Sequence, residues 1–281
     1  MDWLTAYKIP LGSWIKSLVD MLNAHAAGFF DFISWALGGI IDGMTAAMIA
    51  VPPLLLIALF ALLAWLLHRS WQLVALVVVS LLLIINLGYW TETLQTLALV
   101  VSATFMCMVI GIPVGILAAH HPRFYTVLRP MLDLMQTIPT FVYLIPTLIL
   151  FGLGVVPGLI STIIFALPAP IRLTYLGVSK VPKPLLEAGL SFGASRSQLL
   201  WKVELPHAMP TIMAGLTQCI MLSLSMVVIA ALVGADGLGK PVVRALNTVN
   251  IARGFEAGLA IVLVAIMLDR LCRRPGSTGE G

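Results

Sequence analysis

The side chains able to carry acid–base, nucleophilic or metal chemistry are few in this chain and lie apart from one another. The three cysteines have no metal-ligand or redox spacing and are typical of small apolar packing residues: Cys107, Cys219 and Cys272. The five histidines form no ligand pattern: His25, His68, His120, His121 and His207. His120 and His121 precede Pro122, where imidazoles more often cap a helix end or contact headgroups than catalyse. No Ser–His–Asp order or carboxylate pair stands out, so we expect no enzyme, no cofactor and no metal ion.

One segment nearly matches a nucleotide-binding motif. The stretch GADGLGKP, residues 234–241, has the glycines and Lys240 of a phosphate-binding loop. Pro241 stands where that motif needs a serine or threonine to hold Mg²⁺, and no strand is predicted before it. We therefore interpret the segment as a helix end followed by a turn on the outer side of the protein.

The composition is that of a membrane protein. Of the 281 residues, 60% are hydrophobic and only 10% are charged, whereas a soluble domain carries about 25% charged residues. We therefore expect an all-α integral membrane protein in contact with the lipid bilayer. The net charge of +4 does not predict nucleic-acid binding, because the positions of Lys and Arg in a membrane protein matter more than their sum.

Seven segments have the roughly 20 apolar residues that a spanning helix requires. They are 47–67, 71–88, 94–119, 132–154, 157–178, 211–234 and 256–272. The first two are separated only by His68, Arg69 and Ser70, which predicts a tight helical hairpin. Prolines fall within several of these spans, where neighbouring helices can satisfy the freed backbone groups.

An amphipathic helix is predicted before the spans, over residues 28–45. Its apolar face holds Phe29, Phe32, Ile33, Leu37, Ile40 and Ile41. Its polar face holds Asp31, Ser34, Gly38 and Asp42. This pattern is typical of a helix lying in the membrane interface, and packing against the outer edge of the bundle is an equal alternative.

The basic residues predict the orientation of the chain. With the N-terminus outside, eleven Lys and Arg residues fall in inner segments and five in outer segments, which together make the sixteen in the chain. This orientation places the C-terminus and the loop 179–210 in the cytoplasm. The protein is thereby predicted to cross the membrane several times, with its N-terminus outside and its C-terminus in the cytoplasm.

The loop 179–210 has too many apolar residues for a solvated linker. It predicts two short helices, the first over 182–190 and opening at Pro182. Gly193 marks the bend between them. Ser195 and Gln198 form a capping box for the second helix, which we expect to end at Pro206.

This loop resembles the signature loop of the permeases of type I ABC importers. The pattern of that family reads Glu-Ala-Ala, three residues, Gly, nine residues, a hydrophobic residue, any residue and Leu-Pro. The matching and adjoining positions here are Glu187, Ala188, Gly189, Gly193, Ala194, Val203, Leu205 and Pro206. The only departure is Gly189 in place of the second alanine. The stretches 136–154, 167–178, 231–246 and 258–271 are similar to the glycine betaine, proline betaine and choline branch.

The resemblance implies a division of the chain and a set of partners. The division has an N-terminal segment 1–46 with the interfacial helix, two additional spans in 47–89, a five-helix permease core in 90–272 and a cytoplasmic tail 273–281. Residues around 188–200 are then expected to form a coupling helix that docks on a separate ABC ATPase. The expected assembly has two ATPase copies, two permease copies and an extracytoplasmic substrate-binding protein, and we expect no receptor domain fused to this chain.

The resemblance also implies a quaternary ammonium substrate, with choline or glycine betaine favoured. Polar or soft side chains in the core spans could line a pathway or simply pack between helices: Thr104, Met108, Gln136, Tyr143, Gln218, Met221, Ser225 and Met226. Very few charges lie in mid-span. This scarcity argues against a protein that transports by itself, either a secondary transporter or a channel. Both are alternatives to a permease subunit. A membrane scaffold without transport is the third alternative.

Overall fold

The computed structural model describes residues 10–273, and every regular element in that part of the chain is a helix. The predictions about residues 1–9 and 274–281, including the outer position of the N-terminus and most of the tail, lie outside the described residues. By length and composition, five of the described helical stretches could cross a membrane: Gly12–Ala50, Trp90–His120, Val155–Ser179, Arg196–Ala231 and Ile251–Cys272. A bent pair of helices adds a sixth.

Helix α1, Leu11–Ala50, is bent at Ala26, whose φ of −125° and ψ of 18° are not helical. Its second half packs against the bundle, where Ile41 is buried with Ala98 and Leu159. The predicted faces of 28–45 are partly wrong. Ser34 and Gly38 lie on the packed face, whereas Phe29, Phe32 and Ile40 are exposed. Small side chains allow the close approach, and the Ser34 hydroxyl donates a hydrogen bond to the Phe151 carbonyl at 3.2 Å.

Helices α2, Pro53–His68, and α3, Trp71–Asn86, form the predicted tight hairpin. Arg69 turns the chain with a left-handed φ of 48°. The predicted span 47–67 is wrong at its start, because α1 ends at Ala50 and α2 begins only at Pro53. Proline suits the first position of a helix, where its missing N–H would have no partner anyway. Each helix has 16 residues, fewer than the roughly 20 needed to span a typical bilayer without thinning it.

The centre of the bundle is built from α4, α7, α8, α11 and α13. Their bounds are Trp90–His120, Val155–Ala166, Pro168–Ser179, Leu205–Ala231 and Ile251–Cys272. Helices α4 and α8 approach closely at Gly115, where an added Cβ would lie 2.6 Å from Thr174 Cβ. Small residues at such contacts let membrane helices pack without a hydrophobic driving force between them.

Helices α5, Pro122–Thr137, and α6, Thr140–Phe151, are bent by 94° relative to each other. The predicted span 132–154 is therefore not one continuous helix but two helices separated by a sharp bend. Ile138 precedes Pro139 and has an extended ψ of 130°, because proline disfavours a helical conformation in the residue before it.

Helix α5 contacts α8 through an ion pair and a stacked pair of aromatic rings. Arg172 Nη2 lies 2.6 Å from Asp133 Oδ1. The rings of Tyr125 and Tyr175 stack with centroids 3.6 Å apart. These contacts hold the half of the bent pair that precedes the break.

One end of the bundle, which we call the loop end, carries the loop between α8 and α11. This loop contains α9, Lys183–Ser191, and α10, Arg196–Leu199. The α2–α3 hairpin and the end of α13 join there through a hydrogen bond between His68 Nε2 and the Arg273 carbonyl, 2.5 Å apart.

The opposite end, which we call the far end, carries the connection between α11 and α13. That connection includes α12, Gly239–Asn247. The start of α7 belongs to the same end, because the Gly154 N–H donates to the Val233 carbonyl at 2.9 Å. The two ends are therefore built from different segments of the chain.

Candidate functional site

The loop 179–210 folds as two short helices joined by a tight turn. Helix α9 begins after Pro182, and Gly193 reverses the chain with a φ of 78°. No described atom lies within 4 Å of a Cβ added at Gly193, so glycine is required there for its backbone conformation alone. The Gln198 N–H donates to Ser195 Oγ at 3.3 Å, and the Ser195 N–H donates to Gln198 Oε1 at 2.9 Å. The predicted capping box and bend are confirmed.

The expected helix end at Pro206 is wrong. The chain continues from α10 through a π-helical turn, Leu200–Glu204, directly into α11. The Leu205 N–H bonds to the Leu200 carbonyl, five residues back. Pro206 therefore lies in the first turn of α11, where a proline is tolerated. The loop is thus continuous with a membrane helix and is not separated from it by a break.

The two loop helices pack against each other through small side chains. A Cβ added at Gly189 would lie 2.6 Å from Leu199 Cδ1 and 4.0 Å from Val203 Cγ2. Leu199 is buried, and Leu205 is buried with Val178 and Ala208 at the base of the loop. Gly189 therefore allows a close approach between α9 and the chain that leads into α11.

Several large apolar side chains are exposed on the outer surface of the loop, among charged ones. Phe192 at its tip is 92% exposed, and Trp201 is 68% exposed. Leu185 and Leu190 on α9 are also exposed. Glu187, Ala188 and Pro206 are exposed and Ala194 is half-buried. An apolar helical surface at the end of a membrane bundle can dock in the groove of a partner.

A partly buried contact joins the base of the loop to α4. His120 Nε2 lies 2.8 Å from Glu204 Oε2, and Glu204 is 7% exposed. The two residues are 84 positions apart, and Glu204 is the unspecified position of the loop pattern, so sequence reasoning missed the pair. The only sequence signal was a carboxylate between Val203 and Leu205, next to two apolar residues.

The predicted pathway residues fall into three groups. Gln218, Met221 and Ser225 lie on one exposed face of α11, and the Ser225 hydroxyl donates to the Met221 carbonyl at 3.0 Å. Gln136 and Tyr143 are half-buried on either side of the α5–α6 bend, where the Tyr143 hydroxyl donates to the Met135 carbonyl at 2.7 Å.

The third group packs inside the bundle. Thr104 and Met226 are buried, and Met108 is half-buried against the cluster at the base of the loop. The burial of Thr104 and Met226 between helices favours the packing alternative for these two residues. No group of three or more His, Cys, Asp or Glu residues that could hold a metal ion occurs within residues 10–273.

Residues 234–238 form a turn, as predicted, and residues 239–241 begin α12. Helix α11 ends at Ala231 and α12 begins at Gly239. The Leu238 N–H donates to Thr96 Oγ1 at 2.8 Å, which binds the turn to the first part of α4. Gly237 and Gly239 allow this close packing, because a Cβ at either position would clash with α4 or α11.

The fold is that of an ABC transporter permease. The structure aligns with an inward-facing structure of the MetNI methionine ABC transporter, with a TM-score of 0.56 and 23% sequence identity. The alignment covers 64% of this chain and 93% of that chain. A likeness at this level of identity identifies the fold and nothing more.

The chain belongs to the family of binding-protein-dependent transport system inner membrane components, whose sequence profile matches residues 111–273. It is 46% identical over 268 residues to the glycine betaine/proline betaine transport system permease protein ProW of Escherichia coli, covering 95% of this chain and 75% of that protein. It is 47% identical over 266 residues to the glycine betaine/carnitine transport permease protein GbuB of Listeria monocytogenes, covering 94% of each. The family predicted from the loop pattern, the permeases of type I ABC importers, is thereby confirmed.

Membership of this family makes the chain an inner-membrane permease subunit of an ABC transport system. The alternatives of a self-sufficient secondary transporter, a channel or a scaffold are not favoured, since the relatives are permease components of larger systems.

Proposed function

We propose that this chain is the permease of an ATP-driven importer for a quaternary ammonium compound, with glycine betaine or choline as the substrate. The names of the similar permeases, ProW and GbuB, support glycine betaine. A trimethylammonium group is permanently charged and donates no hydrogen bond, so aromatic faces recognise it best. The selective site is expected on an extracytoplasmic receptor, and the permease supplies the passage.

The observation that carries the proposal is the folded loop at the loop end. Its exposed apolar tip, centred on Phe192, is suited to a groove on a separate ATPase subunit. Its base runs without a break into α11. The loop can therefore pass a displacement of the ATPase to a helix that carries the candidate pathway residues Gln218, Met221 and Ser225.

The proposed assembly contains two copies of this permease, two ATPase subunits and one receptor. The loop end faces the cytoplasm in this proposal, as the distribution of Lys and Arg predicts. The far end then faces the receptor, and ATP hydrolysis takes place on the partner subunits. The five-helix core 90–272 is the proposed unit that encloses the passage together with its second copy.

Reconstitution with candidate ATPase and receptor subunits tests the proposal. ATP-dependent uptake of radiolabelled glycine betaine or choline into liposomes is the expected result. We expect Phe192→Ser to reduce both uptake and co-purification of the ATPase at least about tenfold, because burying an aromatic side chain at an interface contributes about 2 kcal/mol or more. The matched control is Phe29→Ser, which removes an exposed phenylalanine of α1.

Two results would contradict the proposal. The first is uptake by the permease alone without ATPase or receptor, which would indicate a secondary carrier. The second is labelling of Ser197→Cys by a membrane-impermeant thiol reagent from outside intact cells, with the native cysteines replaced. That result would place the loop on the side of the membrane where ATP is absent.

A further inference from the structure

A polar cleft of about 400 Å³ opens at the far end of the bundle. The first turns of α4, the turn before α12, α12 itself and the start of α13 form its walls. Its charged and aromatic lining residues are Tyr89, Glu92, Asp236, Lys240, Arg244 and Arg253. None of these residues belongs to the loop or to the candidate pathway, so the cleft is a separate feature of the molecule.

The packing of the turn behind it gives the cleft a fixed shape. Gly237 has a φ of 126°, and a Cβ there would lie 2.6 Å from Thr96 Oγ1. The Thr96 hydroxyl donates to the Glu92 carbonyl at 2.8 Å and accepts from the Leu238 N–H at 2.8 Å. A Cβ on Gly239 would lie 2.2 Å from the Val227 carbonyl oxygen. The turn is thus packed closely against α4 and α11.

The basic side chains of the cleft are only partly neutralised. Lys240 pairs with Asp236. Among the described residues, neither Arg244 nor Arg253 has a carboxylate oxygen within 4.0 Å, and both are exposed. Guanidinium groups bind carboxylates through two parallel hydrogen bonds. The cleft therefore presents two guanidinium groups that could bind an anionic group.

Acidic and aromatic groups lie beside these arginines. The pKa of Tyr89 is raised by its burial and by the nearby Glu256 and Glu92 carboxylates, while Arg253 opposes the rise. Tyr89 and Glu92 are both half-buried. An aromatic ring flanked by carboxylates attracts a cation that cannot donate hydrogen bonds. One cleft therefore combines groups suited to both charges of a zwitterion.

We propose that this cleft is an acceptor site for a small zwitterion with a carboxylate and a quaternary ammonium group. The carboxylate binds Arg244 and Arg253, and the methylated ammonium binds the Tyr89 ring and the Glu92 carboxylate. The inference rests on the proposed function, because it assigns a site at the far end to the same class of solute. An open cleft with exposed arginines binds weakly, as is required of a site that receives the solute and passes it on.

The test measures equilibrium binding to the full permease in phosphatidylglycerol nanodiscs, without receptor or ATPase. Radiolabelled glycine betaine and choline are the two probes, since both carry the trimethylammonium group and only glycine betaine carries a carboxylate. We expect the double variant Arg244→Gln/Arg253→Gln to weaken glycine betaine binding about tenfold or more and to change choline binding less than about twofold. Tyr89→Ala should weaken both, and Tyr89→Phe should restore them.

Two controls complete the design. Arg129→Gln removes an exposed arginine of α5 and should leave the binding of both probes unchanged. Nanodiscs that contain phosphatidylcholine test the other source of the same chemistry, a lipid headgroup. Competition by phosphatidylcholine together with an absence of saturable glycine betaine binding would assign the cleft to lipid and overturn the proposal.

Other outcomes also overturn it. Equal losses of choline and glycine betaine binding in the double arginine variant would mean that the arginines do not read a carboxylate. Unchanged binding with a loss of receptor-dependent uptake would mean that they contact the receptor. Uptake by the wild-type complex is measured in parallel. If uptake occurs without cleft binding, the cleft proposal fails alone, and if no quaternary ammonium compound is taken up, the proposed function itself fails.

Discussion

The two ends of the bundle differ in the chemical character of the side chains that they expose. The loop end exposes apolar side chains such as Phe192 and Trp201 on a pair of short helices. The far end exposes a charged cleft, lined by Glu92, Arg244 and Arg253, with a glycine-rich turn at its back. An apolar helical surface is suited to a protein partner, whereas mixed charges in a small cleft are suited to a small ion or zwitterion. Under the two proposals, the chain would contact its ATPase partner at one end and its solute at the other.

Each end also depends on a glycine, for a different physical reason. Gly193 at the loop end has a left-handed φ of 78° and empty space around its Cβ position. Gly239 at the far end lies against the Val227 carbonyl, with no space for a Cβ. The first position requires a conformation and the second requires a small volume. Substitutions at the two positions should therefore differ in what they damage.

The largest effect on stability is expected from Gly239→Ala. The added methyl group would lie 2.2 Å from the Val227 oxygen, and overpacking of this kind costs about 1–3 kcal/mol or more. The thermal unfolding midpoint of the purified permease should fall by several degrees. Gly258→Ala, in α13 with no atom within 4 Å of the added Cβ, is the control and should leave the midpoint unchanged. Equal midpoints for both variants would mean that the far end is not tightly packed.

Gly193→Val should leave the bundle folded and reduce coupling. A β-branched residue at a φ of 78° costs about 1–2 kcal/mol relative to glycine, and the turn between α9 and α10 would shift to avoid it. We expect ATP-dependent uptake to fall severalfold at an unchanged unfolding midpoint. Gly152→Val introduces the same residue at a φ of 75° near the far end. If it lowers uptake as much as Gly193→Val does, the loop has no special role.

A smaller effect is expected where the loop meets α4. Glu204→Ala removes the carboxylate that contacts His120, and Glu204→Gln keeps a hydrogen-bonding side chain there. Loss of a buried polar partner costs about 1–3 kcal/mol, although His120 is partly exposed and can bond to water. ATPase stimulation by substrate should decrease in Glu204→Ala and recover in Glu204→Gln. A decrease of the same size in both would mean that the contact does not position the loop.

The smallest effect is expected from Asp133→Asn. The Arg172–Asp133 pair joins α5 to α8, and Asp133 is more than half exposed. Exposed ion pairs contribute about 0–1 kcal/mol. The unfolding midpoint should change by no more than about two degrees. A drop comparable to that of Gly239→Ala would show that α5 depends on this pair more than its exposure indicates.

Local chemistry explains which features the sequence could predict. The start of α9 follows from Pro182, the bend from Gly193 and the second loop helix from the Ser195–Gln198 capping box, all within a few residues of one another. The α2–α3 hairpin was predicted for the same reason. Composition and the loop pattern were sufficient for the all-helical membrane class and for the family.

The missed features depend on contacts between distant segments. The break before Pro139 had a local signal, namely the restriction that proline places on Ile138. Its 94° angle had no such signal, because it depends on how α5 and α6 pack against the other helices. Continuation of the helix through Pro206 depends on a π-helical turn that no simple pattern predicts. The inward face of α1 and the His120–Glu204 contact required the positions of α4, α6 and α7. The far-end cleft likewise joins residues from three parts of the chain.

The unbroken helical stretch Arg196–Ala231 has a mechanical consequence. Its 36 residues give a rod about 54 Å long at 1.5 Å per residue, and it ends at the turn that forms the back of the cleft. A tilt of about 5° at one tip would displace the other by roughly 5 Å over that length. In the proposed assembly, such a lever would link movement of the loop near Phe192 to the width of the opening beside Arg244.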